Sequence, residues 1–213
     1  MGEKCLKIIN FGGSLEGKNQ TYQDELKKDD FVDIKIMLGY LFESLLAPKT
    51  PSSKKKATNF DLSKEWIEAN RFLKFFDYIH IWNYEKFVSK LLGHPFLKSP
   101  QERLEWIDTV NNDRKDPSTQ WDVLTVLGKV DFVVFASWKG GGFKEAFMKE
   151  VFDYNPSSYK DDVVSLLRYL RNLNHHFRDV KKCKRPTVEE ADHAVRRHFD
   201  NFLEVLYVCW SCR

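Results

Sequence analysis

Three features are scarce in this sequence: cysteine, net charge and long apolar runs. Only four of its 213 residues are cysteine, which without a secretory signal indicates reduced thiols in the cytosol. The formal net charge is +3, so contact with nucleic acid would need a local basic patch. No apolar run approaches membrane-spanning length, and the first residues lack the apolar core of a signal peptide. We therefore expect a soluble, cytoplasmic chain without a membrane segment.

Two motifs of cofactor- and metal-binding proteins are present only in part. Lys139 is followed by three glycines, but this loop lacks the Lys-Ser/Thr ending of a phosphate-binding P-loop. Cys209 and Cys212 have the spacing of zinc ligands, but a second ligand pair is missing. The sequence therefore predicts neither a cofactor nor a metal site.

Most of the chain shows the apolar spacing of α-helices. Residues 31–46 are apolar on nearly all sides of a helix, which predicts a buried helix. Ser99 before Pro100 is an N-terminal helix signal. Thr187 to Glu190 forms a second one, and the apolar stripe after it predicts a last helix that continues to Leu206. The fold class predicted is mainly α.

The remaining segments are assigned by the same periodicity and by turn residues. Further helices are expected over residues 62–82, 83–92, 143–154 and 163–176. Residues 121–138 fit either a helix or a strand, because a short apolar run is compatible with both. The other expectations are a strand end and turn at 5–13, a polar loop to residue 28, and a linker at 47–58.

One helix ends in an unusual polar cluster, V-V-S-L-L-R-Y-L-R-N-L-N-H-H-F, residues 163–177. Arg168, Asn172 and His176 are spaced four apart, so they share one helix face, with Arg171 beside them. An arginine fork can hold two phosphate oxygens, and histidine exchanges a proton near neutral pH. These groups suffice for metal-free cleavage of RNA through its 2′-hydroxyl. A solvated helix end is the alternative.

Two motifs resemble a known family. Residues 166–177, L-L-R-Y-L-R-N-L-N-H-H-F, resemble the signature of the KEN ribonuclease domain. Ribonuclease L shares that domain with the kinase-endoribonuclease sensor of the unfolded protein response. Residues 91–107, L-L-G-H-P-F-L-K-S-P-Q-E-R-L-E-W-I, resemble the junction between the kinase C-lobe and the KEN domain. The resemblance implies a helical KEN domain at residues 96–213, packed on a partial kinase C-lobe at residues 1–95.

The N-terminal part resembles a kinase only in fragments. Residues 6–13, L-K-I-I-N-F-G-G, are similar to the metal-binding Asp-Phe-Gly turn, with Asn10 in place of the aspartate. Residues 32–46 are similar to the buried central helix of the C-lobe, with Asp33 near its start. The glycine-rich loop, the ATP-anchoring lysine and the His-Arg-Asp loop are missing. The resemblance therefore implies a truncated pseudokinase without kinase activity, and it leaves open that the chain is part of a longer kinase-containing protein.

The resemblance also implies a set of site residues. The catalytic histidine, arginine and asparagine fall on His176, Arg171 and Asn172. A tyrosine that positions the scissile phosphate is expected at Tyr159, one residue closer to Arg171 than in the family pattern, with Tyr154 as the alternative. The residues expected to contact the substrate are Arg168, His175, Lys181 and Lys182.

Two functions follow from these expectations. The first is a metal-independent endoribonuclease that cleaves single-stranded or loop RNA, leaves a 2′,3′-cyclic phosphate, and acts as a homodimer, as the resemblance implies. The second is an inactive pseudokinase–KEN module that kept the fold and lost turnover. The R-N-x-x-H-H cluster and the junction motif favour the first function, which is the preferred interpretation. The shortened kinase part, Asn10 and the displaced tyrosine favour the second.

Overall fold

The computed structural model describes residues 20–46, 62–140, 142–181 and 183–211. Within these residues the chain is helical and contains no strand, so the mainly α expectation is confirmed. The helices are α1 Gln20–Leu46, α2 Leu62–Phe75, α3 Tyr84–Gly93, α4 Pro100–Asp113, α5 Gln120–Leu127, α6 Ala146–Asp153, α7 Val163–His176, α8 Val188–His198 and α9 Phe202–Ser211. The expected strand end at 5–13, Asn10 and the linker at 47–58 lie outside the described residues.

The helix boundaries follow the capping signals in the sequence. Ser99 caps α4: its hydroxyl accepts from the Glu102 amide, and the Glu102 carboxylate accepts from the Ser99 amide. Thr187 and Glu190 make the same reciprocal pair at α8. Both N-terminal predictions are therefore confirmed. The ambiguous segment 121–138 is helical and not a strand: it contains α5 and a 3₁₀ turn at Val130–Phe135, joined by turn residues.

Residues 31–46 are helical, as predicted, but the prediction that this helix is buried is wrong. The helix exists and begins earlier, at Gln20, in the segment expected to be a loop. Only one side of it packs: Phe31 contacts Phe87 at 5.1 Å between ring centroids, and Phe42 contacts Phe96 at 5.6 Å. No described element covers the opposite side, where Tyr40 is 71 % exposed.

The predicted single last helix is two helices. Helix α8 ends at His198 and α9 begins at Phe202. Asn201 between them has φ of 69°, the left-handed region that asparagine tolerates better than most residues. The apolar stripe runs through this break because Phe199 and Phe202 are both buried in the same core. Similarly, the helix expected over 62–82 ends at Phe75 and continues as a 3₁₀ turn to His80.

The described residues form two apolar clusters that share a boundary. The larger cluster is built by α4 to α9, and the smaller one by α1, α2 and α3 with Tyr207 of α9. Trp106 of α4 packs against both clusters and lies 5.6 Å from the Tyr207 ring. Gly93 is required here, since a Cβ at this position would lie 2.5 Å from the Tyr207 hydroxyl.

Charged side chains reinforce this boundary. Asp192 of α8, only 1 % exposed, accepts from Arg103 at 2.6 and 2.8 Å and from Arg196 at 3.0 Å. Arg196 also pairs with Glu68 of α2. We refer to Glu68, Arg103, Asp192 and Arg196 as the junction network. It joins α2 to the helices that carry the larger cluster.

Candidate RNA-cleavage site

Helix α7 is positioned by its N-cap and by its buried face. The Asp162 carboxylate accepts from the Ser165 amide at 2.7 Å, which fixes the first turn. The buried stripe expected from the sequence is present, and its members are Val163, Leu166, Leu167, Leu170 and Leu173. Tyr169 is also fully buried, and its hydroxyl donates to the Met148 carbonyl at 2.9 Å. This burial raises the pKa of Tyr169 well above its ordinary value.

The loop that precedes α7 is held by the lysine of the glycine-rich segment and by its tryptophan neighbour. Trp138 Nε1 donates to the Asp162 carbonyl at 3.1 Å, and Lys139 Nζ donates to the Tyr159 carbonyl at 3.0 Å. The Tyr159 ring stacks on Phe152 at 5.6 Å. These contacts hold Tyr159 beside the polar face of α7.

Three predicted site residues form one hydrogen-bonded chain. Asn172 Nδ2 donates to the Tyr159 hydroxyl at 2.8 Å, and Arg171 Nη1 donates to Asn172 Oδ1 at 3.2 Å. The arginine has only donors, so it fixes which end of the amide faces Tyr159. Tyr154, the alternative tyrosine, is 93 % exposed. The geometry therefore selects Tyr159, whose ring is only 5 % exposed, as the partner of Asn172.

Arg168 packs on the ring of the same tyrosine. Its guanidinium carbon is 5.1 Å from the centroid of the Tyr159 ring, a cation–π distance. Its Nη2 atom is buried and has no hydrogen-bond partner. The half-buried Arg168 is thus placed by packing and not by an acidic side chain.

The two histidines at the end of α7 contact different carboxylates. His176 Nδ1 lies 2.9 Å from Asp179 Oδ2, and both side chains are largely exposed. His175 Nε2 lies 2.7 Å from Asp108 Oδ2, which also accepts from Asn174 Nδ2 at 3.0 Å. Because Asp179 engages Nδ1 of His176, the Nε2 atom of that ring is the one available to a substrate.

The basic run after α7 contributes less to the described site. The Lys181 side chain is exposed, and its backbone amide donates to Glu150 Oε1 at 2.7 Å. Lys184 pairs with Glu190 at 3.7 Å. Lys182 lies outside the described residues. No described contact joins Lys181 to Arg171, Asn172 or Tyr159.

Sequence analysis missed three residues on the side of the site formed by α4, which are Asp108, Asn111 and the C-cap residue Arg114. Asp108 holds His175, Asn111 is fully buried, and the Asn111 oxygen accepts from Arg114 at 3.3 and 3.4 Å. Their spacing of three, beside the buried stripe of α4, was the available signal. It could not be interpreted from sequence, because it depends on which helix packs against α7.

Two further searches concern the described residues only. No helix among them is both long and apolar enough to cross a bilayer. Likewise, these residues contain no group of three or more histidine, cysteine or acidic side chains that could hold a metal ion.

A family model described as Ribonuclease 2-5A matches residues 104–213, slightly more than half of the chain. The match contains α7 and all the site residues predicted from the sequence. No curated protein and no solved structure matches the chain.

Proposed function

The chain belongs to the Ribonuclease 2-5A family, and from this premise we propose that it is a metal-independent endoribonuclease for single-stranded or loop RNA. The observation that carries the proposal is the Arg171–Asn172–Tyr159 chain, on the same helix as His176. It supports a role for these residues because it presents one cation and one amide on the helix face that leads to His176.

The reaction needs a proton to leave the 2′-hydroxyl and a proton to reach the 5′-oxygen. In the proposed mechanism, Nε2 of His176 takes the 2′-hydroxyl proton as the 2′-oxygen attacks phosphorus. The P–O5′ bond then breaks, and the proton is returned to the 5′-oxygen. The products are a 2′,3′-cyclic phosphate and a 5′-hydroxyl, with no net change in protons.

Arg171 and Asn172 would stabilise the charge that develops on the phosphoryl oxygens. A guanidinium and an amide hydrogen act most strongly on such charge when they are already oriented before the substrate arrives. The Tyr159 hydroxyl supports this orientation by accepting a hydrogen bond from Asn172. Asp179 similarly orients the His176 ring. Arg168, His175, Lys181 and Lys182 are proposed as substrate contacts.

The proposal extends to domain organisation and assembly. Residues 96–213 form the ribonuclease domain, and residues 1–95 are the remnant of a pseudokinase C-lobe. The active form is a homodimer. These statements rest on the resemblance of the junction and of the N-terminal fragments.

A second candidate is an inactive interaction module of the same family. The observation that favours it is the burial of Tyr159, whose ring is covered by Phe152, Tyr169 and Arg168. A hydroxyl in this position can orient Asn172 but is poorly placed to contact a phosphate directly.

The test is cleavage of a fluorescent stem-loop RNA in EDTA across a series of protein concentrations, with His176→Ala beside the parent. We expect cleavage that persists in EDTA, rises more steeply than protein concentration, and falls about 100- to 10,000-fold in the variant. Products that lack a cyclic phosphate would exclude the mechanism. Absence of cleavage, also after fusion to an unrelated dimeriser, would favour the inactive module.

A further inference from the structure

Among the described residues, two arginines near the proposed site have no acidic partner. Arg114 caps the C-terminus of α4, and Arg168 lies in the middle of α7, which packs against α4. Asp108 of α4 contacts Asn174 and His175 near the C-terminus of α7, so the two helices lie side by side. Burial lowers the pKa of Arg114, and the positive charge of Arg168 lowers it further. The C-terminal end of α4 therefore lies along the middle of α7, with the two guanidinium groups within electrostatic range of each other.

The absence of a described carboxylate partner, which Arg171 of the proposed site shares, separates this pair from the half-buried arginines that support the fold. Arg71, Arg103 and Arg196 each pair with an aspartate or a glutamate. In the same described residues, neither Arg114 nor Arg168 has an ion pair. The side chain of Arg114 is held by the neutral Asn111 oxygen, and Arg168 is held by the Tyr159 ring.

Two half-buried cations within electrostatic range, neither of them ion-paired among the described residues, favour an anion between them. Arginine is the side chain whose planar fork best matches phosphate. Arg168 also precedes Asn172 by about one helical turn and shares Tyr159 with it. A phosphate held here would lie next to the one held by Arg171 and Asn172.

We infer that Arg114 and Arg168 form a subsite for a phosphodiester of the RNA strand that flanks the scissile phosphate, with Asn111 as the residue that positions Arg114. This inference rests on the proposed function, because that function supplies the strand. Asn111 is fully buried, and the only hydrogen-bond partner of its side chain among the described residues is Arg114, so it acts through Arg114 and not on the RNA.

The test uses binding and not cleavage. A fluorescent single strand with 2′-deoxyribose throughout keeps every phosphodiester and lacks the nucleophile, so the full chain binds it without turnover. Its affinity is measured against salt for the parent, for Arg114→Gln, and for Lys115→Gln. Lys115 is the matched control, because it is the next residue, is exposed and carries the same charge.

We expect the slope of log affinity against log salt to become shallower by about 0.7 in Arg114→Gln, the value for one phosphate contact on a single strand. Lys115→Gln should leave the slope nearly unchanged. Equal slopes in the two variants would overturn the inference, since net charge alone would then explain binding.

Two further measurements keep the test decisive. Arg114→Gln should melt close to the temperature of the parent, because the relief of repulsion offsets the loss of the hydrogen bonds to Asn111. If that variant does not fold, Asn111→Asp replaces it. This nearly isosteric change gives Arg114 an internal carboxylate, which should compete with the strand and flatten the slope to a similar extent. An unchanged slope in Asn111→Asp would count against the subsite.

Thermal melting in sodium phosphate and in sodium chloride at equal ionic strength distinguishes the source of the anion. If inorganic phosphate protects the parent and Arg114→Gln removes that protection while strand binding is unchanged, the site takes free phosphate and the inference fails. If RNA is never cleaved but the slope changes as expected, the subsite stands and the proposed catalysis fails. The two failures are thus separable.

Discussion

The arginines of the junction network and those of the proposed site have opposite electrostatic surroundings. Arg103 forms an ion pair with Asp192, and Arg196 forms one with Glu68; both carboxylates are nearly inaccessible to solvent. Arg168 and Arg171 contact a tyrosine ring and an asparagine amide, and no carboxylate among the described residues pairs with them. Removing one member of a buried ion pair leaves an uncompensated charge in the fold, whereas an unpaired arginine keeps its charge available for a ligand.

The largest effect should come from removing an arginine of the proposed site that has no carboxylate partner among the described residues. Arg171→Gln should reduce RNA cleavage by about 100- to 1,000-fold, because one oriented charge on the transition state is lost. The free energy of unfolding should change little, since no ion pair is broken. Single-turnover cleavage and urea unfolding of the same preparation measure both quantities. A stability loss equal to that of Arg103→Gln would contradict the comparison.

The second largest effect should come from removing an ion-paired arginine of the junction network. Arg103→Gln leaves Asp192, which is 1 % exposed, with only Arg196, and should lower the free energy of unfolding by about 3 kcal/mol. Urea unfolding measures it. Lys149→Gln is the control, because it removes the exposed pair of Lys149 with Asp153 and should cost less than about 1 kcal/mol.

The buried residue His94 adds a test through the pH dependence of stability. His94 is 2 % exposed, packs on Phe72 and Phe75, and accepts from the Phe96 amide. Burial lowers its pKa from 6.5 to about 4. The unfolded chain therefore binds a proton that the folded chain refuses, so stability is complete above about pH 6.5 and falls as the pH approaches 4.

This loss should amount to about 2 kcal/mol at pH 5. The measurement is the unfolding free energy of the parent minus that of His94→Asn at pH 7 and pH 5, since asparagine can still cap the turn. Taking the difference removes other titrating groups, such as Glu68, whose pKa is raised by burial. A difference that does not vary with pH would show that His94 does not titrate as described.

The smallest effect should come from removing the hydroxyl of Tyr159. Tyr159→Phe keeps the buried ring and removes the acceptor of Asn172, so cleavage should fall about fivefold to tenfold. The decrease should appear in kcat and not in KM, because substrate binding is untouched. Tyr154→Phe is the matched control and should have no effect, as that side chain is 93 % exposed.

Local signals predicted the parts of the fold that depend on neighbouring residues. Ser99 and Thr187 mark helix starts by hydrogen bonds within four residues, so sequence was sufficient. The burial of α1 could not be predicted, because it depends on which elements cover its second apolar side. The break at Asn201 was also missed, since the apolar stripe continues through it.

The sequence by itself determined that α7 carries Arg168, Arg171, Asn172 and His176 on one polar face, because helical geometry follows from spacing alone. Only the tertiary structure decided what surrounds that face. It brought Tyr159 onto Asn172 despite the one-residue shift, and it placed α4, with Asp108, Asn111 and the C-cap residue Arg114, beside α7. These contacts join residues far apart in the chain, and packing between helices, which no local pattern encodes, selects them.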